Sequence, residues 1–217
     1  MKTDTQLQQD VMAELAWEPS VNAAQIGVEV KDGVVTLAGH VGSFVEKWEA
    51  ERAAQRVSGL KGLAVEMDVT LPGSSKRNDV DIARSARSVL EWTSSSPQHE
   101  ITVMVEAGWI TLTGEVDWEY QRQAAARAIR GLMGVTGVSN QIALKPNVSM
   151  MPVKSDIEAA LKRRIHSDAR HIVVGVQGTA VTLTGTVRSW SDLDSARNSA
   201  WSTPGVRSVA DNLTVVY

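Results

Sequence analysis

Side-chain catalysis needs an acid, a base or a nucleophile held within reach of one another, and the four histidines, His40, His99, His166 and His171, are the first residues to test for it. No H-E-x-x-H, G-x-S-x-G or phosphate-binding glycine loop surrounds them. His166 and His171 stand five residues apart, not the four that would set both on one helical face as metal ligands. The chain has no cysteine, which removes thiolate nucleophiles, disulfides and cysteine-ligated metals. The expectation is a non-enzymatic protein with no catalytic residues, no metal and no cofactor.

Two other groups of residues have the chemistry of binding. Lys162, Arg163 and Arg164, with Arg170 close by, form a cationic cluster near the end of a helix. Each cation near an anionic membrane contributes about 1 kcal/mol of attraction, while cations at a helix C-terminus also complement its dipole. Trp17 and Trp92 lie 75 residues apart, each two residues beyond the last apolar residue of a helix, Leu15 and Leu90. An indole at such an edge offers an apolar body and one donor to a membrane interface or a partner groove, or packs on a neighbouring domain. Trp48, Trp118, Trp190 and Trp201 sit on or beside a second helix, where core or domain contacts are expected. Net charge is −3, which argues against nucleic acid as a partner. That charge is uneven: residues 1–72 carry 6 basic and 11 acidic side chains, 73–145 carry 8 and 8, and 146–217 carry 8 and 6. Head-to-tail contact of an acidic first part with a basic third part, giving a homo-oligomer, is one reading, and drift of surface charge is the other.

The elements that position these residues come from an internal repeat. The segments Val35-Thr36-Leu37-Ala38-Gly39, Ile110-Thr111-Leu112-Thr113-Gly114 and Val181-Thr182-Leu183-Thr184-Gly185 place their glycines 75 and then 71 residues apart. A period of that length fits three small domains, each with its own core. Twenty residues after each comes a second glycine, Gly59, Gly134 and Gly205, suited to a left-handed helix C-cap. Between the glycines, Ala50, Ala53, Ala54 and Val57 have helical spacing, as do Ala125, Ala128, Ile129 and Leu132, and more weakly Ala196, Ser199, Ala200 and Thr203. Period-two runs beginning at Ile26, Ile101 and Ile172 lead through short turns into the glycine-bounded strands, as antiparallel hairpins do. Third strands follow at Leu63, Met67 and Val69, at Val138, Ile142 and Leu144, and at Val209, Leu213 and Val215. Amphipathic helices open the units at Leu7, Val11 and Leu15, at Ile82, Ala86, Val89 and Leu90, and at Ile157, Ala160, Leu161 and Ile165, with Asp79 and Ser155 at N-cap positions. The fold class is α+β: three tandem αββαβ domains over 1–72, 77–145 and 153–217, each a three-stranded mixed sheet covered by two helices.

With that element order, the [VI]-T-L-x-G-x-V motif and the closing Gly-Val-Arg-Ser-Val-Ala-Asp-Asn-Leu-Thr-Val, the repeats resemble BON domains, with Gly39, Gly114, Gly185, Gly59, Gly134 and Gly205 as the motif glycines. The first unit departs from the pattern, with Val65-Glu66 where Asn140-Gln141 and Asp211-Asn212 occur. The resemblance implies a non-catalytic module of the osmotic and envelope stress response that binds phospholipid surfaces. Residues 1–10 lack the apolar run of a signal peptide, and nowhere do eighteen apolar residues run together. A cytoplasmic protein, peripheral at the inner membrane face, is therefore expected.

Overall fold

The computed structural model describes residues 2–93, 101–145, 172–203 and 206–216, together with Ile157 and Ala159. The first repeat runs α1 (Asp4–Trp17), β1 (Ile26–Lys31), β2 (Val34–Val41), α2 (Phe44–Arg56) and β3 (Gly62–Val69). The second runs α3 (Asp79–Thr93), β4 (Thr102–Glu106), β5 (Trp109–Val116), α4 (Glu119–Arg130) and β6 (Gly137–Leu144). In the third, Ile157 and Ala159 are helical, and β7 (Ile172–Gln177), β8 (Ala180–Val187), α5 (Trp190–Trp201) and β9 (Ser208–Val215) follow. The expected α+β architecture is present as three three-stranded sheets, ordered β1-β2-β3, β4-β5-β6 and β7-β8-β9. Each opening hairpin is antiparallel, and β6 and β9 join β5 and β8 in parallel, Leu112 facing Asn140 and Leu183 facing Asp211. The chain forms two compact units, one of Met1–Gly39, Glu49–Glu66 and Asn147–Tyr217, the other of His40–Trp48 and Met67–Pro146. Among the described residues no helix is long and apolar enough to cross a membrane.

Period two in the strands and period 3.6 in the helices meet in the cores. In the second repeat Ile82, Ala86 and Leu90 of α3 and Ala125 and Ile129 of α4 pack on Ile110, Leu112, Val116 and Ile142. Ile157 is fully buried with Val174, Val181, Leu183, Ala196 and Ala200 in the third. Burial of each large side chain contributes roughly 1.5–3 kcal/mol. On α4 the buried alanine beside Ala125 is Ala126, and Ala128 is only half-buried. The face of α5 carrying Ser199, continued by Thr203 just past the helix end, is as buried as its apolar counterparts. It tolerates burial because Ser199 Oγ donates to Ser195 O (2.7 Å) and Thr203 Oγ1 to Ser199 O (3.3 Å).

Asp79 differs from its expected role. Asn78 caps α3, its Oδ1 accepting from Asp81 N–H at 2.8 Å, which frees the Asp79 carboxylate to reach the hairpin. It accepts from the N–H groups of Ala107 and Gly108, both at 2.9 Å. Asp4 repeats this clasp on Asp32 (2.8 Å) and Gly33 (2.9 Å). Both turns have two successive positive φ angles, 53° and 81° at Asp32 and Gly33, 50° and 79° at Ala107 and Gly108, so both N–H groups point the same way. In the third repeat only Gly178 of the turn has a positive φ, and the position of Asp4 and Asp79, counted from Leu7, Ile82 and Ile157, is Lys154 in the sequence. Ser155 lies outside the described residues.

The first repeat carries a further lock. Arg56 of α2 donates to Glu14 Oε1 (2.6 Å) and Glu18 Oε2 (3.1 Å) at the end of α1. Hydrogen bonds from Ser20 and then Arg56 hold the Glu18 carboxyl below its ordinary value of 4.5. Burial draws the Arg56 guanidinium down, and its bonds to the two carboxylates outweigh that, leaving it raised and charged at every working pH. A depressed folded value means that the Glu18 contribution is complete above the ordinary glutamate range and is lost as pH falls through the lowered value. Urea unfolding at pH 7 and at pH 3 is expected to show Glu18→Gln losing less stability on acidification than the unmodified chain. An equal loss in both would show that Glu18 carries none of the acid sensitivity.

Candidate binding surfaces

The two tryptophans singled out for binding stand free of the cores. Trp17 ends α1 and is 82% exposed, and Trp92 near the end of α3 is 91% exposed. Their helices bury Leu15 and Leu90 two residues earlier, which rotates each indole away from the packed face. Of the acidic residues near them in sequence, Glu14 and Glu18 are held by Arg56, and Glu91 by Arg87 at 3.0 Å. Lys162, Arg163, Arg164, Arg170, His166 and His171 lie outside the described residues, as does Gly205.

The remaining motif glycines are backbone devices. Gly39, Gly114 and Gly185 have φ of 135°, 134° and 129° inside β2, β5 and β8. Gly59 and Gly134 also have positive φ but sit three and four residues beyond the ends of α2 and α4, in the turn to the next strand instead of at the helix cap.

Asn140 and Asp211, the polar pair missing from the first repeat, fix the third strand. Asn140 Oδ1 accepts from Ile142 N–H (3.2 Å) while its Nδ2 donates to Arg122 O (2.9 Å), tying β6 to α4. Asp211 accepts from Leu213 N–H at 3.1 Å. Where the first repeat has Val65, the helix–strand tie runs the other way: Lys47 Nζ, at the position of Arg122, donates to Met67 O at 2.8 Å.

The second-helix tryptophans divide. Trp190 Nε1–H donates to Leu60 O at 2.9 Å. Trp48 carries the Arg130 guanidinium 3.7 Å above its ring centroid. Trp201 packs against the third core. Trp118 is exposed and is not among the residues of the second core, its backbone N–H donating to Gln121 Oε1 at 3.0 Å.

Two shallow hollows accompany these surfaces. One of about 380 Å³ is lined by Glu29, Lys31, Asp32, Val34 and Thr36 on the open face of the first sheet. Another of about 370 Å³ is lined by Arg77, Asp81, Arg84, Ser85, Leu132 and Met133. Among the described residues no group of three or more histidine or carboxylate side chains is placed to hold a metal. Trp109 and Met104, which are not among the candidates above, are exposed on the open face of the second sheet. Their signal is the outward half of the same period-two runs that mark the core.

Comparison with known proteins follows the repeat. The BON domain model matches residues 3–70, 78–146 and 153–217. Over 172 residues the chain is 27% identical to osmotically-inducible protein Y of Escherichia coli (strain K12), spanning 76% of this chain and 85% of that protein. The C-terminal domain of CdsD, the structural protein of the type III secretion system of Chlamydia trachomatis, is 15% identical, with each chain fully covered and a TM-score of 0.27. The PrgH periplasmic domain is 15% identical, with 89% of this chain and 96% of that one covered and a TM-score of 0.22. Scores this low give neither structure a bearing on what this chain does.

Proposed function

The chain belongs to the BON domain family, and from that premise we propose that it is a non-catalytic module of the osmotic-stress response that binds anionic phospholipid surfaces. The stress assignment rests on the likeness to osmotically-inducible protein Y over most of both chains. The observation that carries membrane binding is the pair of indoles at matching helix ends, 82% and 91% exposed and outside the cores of the described residues. Indoles seat at the headgroup level, where an apolar body and a single donor both find partners. Lys162, Arg163, Arg164 and Arg170 supply the long-range attraction, and the anionic inner leaflet has the charge that matches them.

Flotation with neutral and anionic liposomes at low and high salt tests this reading. Binding only to anionic vesicles, reversed by salt, is the expected result. Joint replacement of Trp17 and Trp92 by alanine should weaken it about tenfold or more, as loss of two anchoring aromatics does. Undiminished flotation of that variant, or of one with Lys162, Arg163 and Arg164 changed to glutamate, would reject the assigned residues. The charge polarity from −5 over residues 1–72 to +2 over 146–217 favours a second reading, head-to-tail assembly as a scaffold. Light scattering of the lipid-free chain decides it, since such an oligomer must dissociate in salt.

A further inference from the structure

We propose that the open face of the second sheet binds an uncharged oligosaccharide, one sugar ring stacked on Trp109. Alternation along β4 and β5 turns Val103, Val105, Ile110 and Leu112 to the core and therefore Met104, Glu106, Trp109 and Thr111 to the opposite face. In register, Trp109 lies between Glu106 of β4 and Gly137 of β6, and Thr111 lies between Met104 and Ser139. The indole rests on the glycine: a Cβ at Gly137 would fall 2.1 Å from Trp109 Cε3 and 2.2 Å from Cζ3. One side of the ring thus covers backbone, yet Trp109 remains 49% exposed, which leaves the other side to solvent.

Covering a strand glycine with a neighbouring side chain is a structural service, and the first repeat obtains it from less. There Val34 stands at the matching position, its methyl groups 3.6 Å from where a Gly62 Cβ would be. The third repeat has Ala180 facing Ser208. The indole of the second repeat exceeds what the sheet needs, and its chemistry is that of a sugar platform. The electron-rich ring face accepts the C–H groups of a pyranose. Beside the ring, one strand spacing of about 4.8 Å away, stands the Glu106 carboxylate, and two residues further along, about 7 Å from Trp109, come the Thr111 hydroxyl and, beyond it on the next strand, that of Ser139, groups that match the donors and acceptors of sugar hydroxyls. Glu106 and Glu115 are the charged residues of this face and Lys and Arg are absent from its three strands, so it opposes anionic headgroups and suits a neutral polyol. The corresponding hollow in the first repeat carries Glu29, Lys31 and Asp32 in place of a platform, which confines the site to the second repeat. The site shares no residue with the proposed membrane-binding surface.

Titration of the full chain with cellohexaose and with chitohexaose, read by calorimetry and by the indole N–H resonances, tests the site. Saturable movement of one indole resonance that is missing from Trp109→Val is expected, together with affinity about tenfold lower or worse in that variant. Valine at this position has its precedent at Val34, so the variant should keep its unfolding midpoint. Should it lose the fold instead, Glu106→Gln and Thr111→Ala decide, because both are surface changes and each should weaken binding measurably. No saturable shift with either sugar, or wild-type affinity in Trp109→Val or in both rim variants, would overturn the proposal.

Discussion

Gly39→Ala should unfold the first repeat. At φ 135° any side chain is strained, at a cost of about 1–3 kcal/mol. Sterics add to this, because the new Cβ would lie 2.2 Å from the Gln25 carbonyl oxygen, a backbone atom immediately before β1. Relief requires moving β1 off β2, where Ile26 faces Gly39. The combined penalty exceeds about 4 kcal/mol, at the extreme of single substitutions and comparable to the whole stability of many small domains. Gly73→Ala is the matched control: nothing lies within 4 Å of its added Cβ and its φ is not positive, so its effect should stay within about 0.5 kcal/mol. Urea unfolding with hydrogen exchange at Leu37 reads both variants. A Gly39→Ala chain within about 1 kcal/mol of the parent would show that the approach of β1 and β2 is looser than described. The motif glycines owe their recurrence to this backbone conformation, which also fixes Gly114 and Gly185 at φ 134° and 129°.

Features of short range are legible in the sequence, and features that depend on distant backbone are not. The runs at Ile26, Ile101 and Ile172 announce their strands because alternation is a property of one segment, and the recurring glycines set the three units in register. Asp79 shows where that stops. An acidic residue at a helix start reads as an N-cap, and its actual partners are two N–H groups 28 and 29 residues onward, turned toward it by positive φ angles. Nothing local distinguishes these roles. Trp190 reads as a core or contact residue from its place on a helix, but its acceptor, Leu60 O, is 130 residues away. Trp17 and Trp92 are legible as edge residues since helical geometry alone carries them past the buried stripe. Trp109 escapes notice because a lone aromatic at a strand start looks like core until its register with Gly137 is known.

Phe44→Ala should destabilise the second repeat although Phe44 belongs to the first. Phe44, Glu119 and Trp190 occupy one position, the opening residue of the second helix in each repeat, at offsets of 75 and 71. Three side chains of different chemistry there imply three different tasks. Phe44 packs against the cluster built on Ile82, Ile110, Leu112 and Ile129, so its ring is part of the second core. Glu119 is buried and held by its own helix, through Arg122 at 2.8 Å and Gln123 Nε2 at 3.1 Å. Trp190 donates its indole N–H to Leu60 O. Removing a packed phenyl ring costs about 3–5 kcal/mol when burial is complete, and Phe44 is half-buried, so about 2–3 kcal/mol is expected. The loss should appear in amide exchange of Leu112 and Ile142, which pack in the same core, as strongly as in α2 itself. Trp190→Phe keeps an aromatic ring but removes the hydrogen bond to Leu60 O and part of the side-chain volume, a loss of about 1 kcal/mol or more. If Phe44→Ala left exchange in β5 and β6 unchanged, the second core would be complete without residues from the first repeat. Loss of protection there would show that the second repeat needs the His40–Trp48 segment to reach its full stability, in keeping with that segment's place in one compact unit with Met67–Pro146.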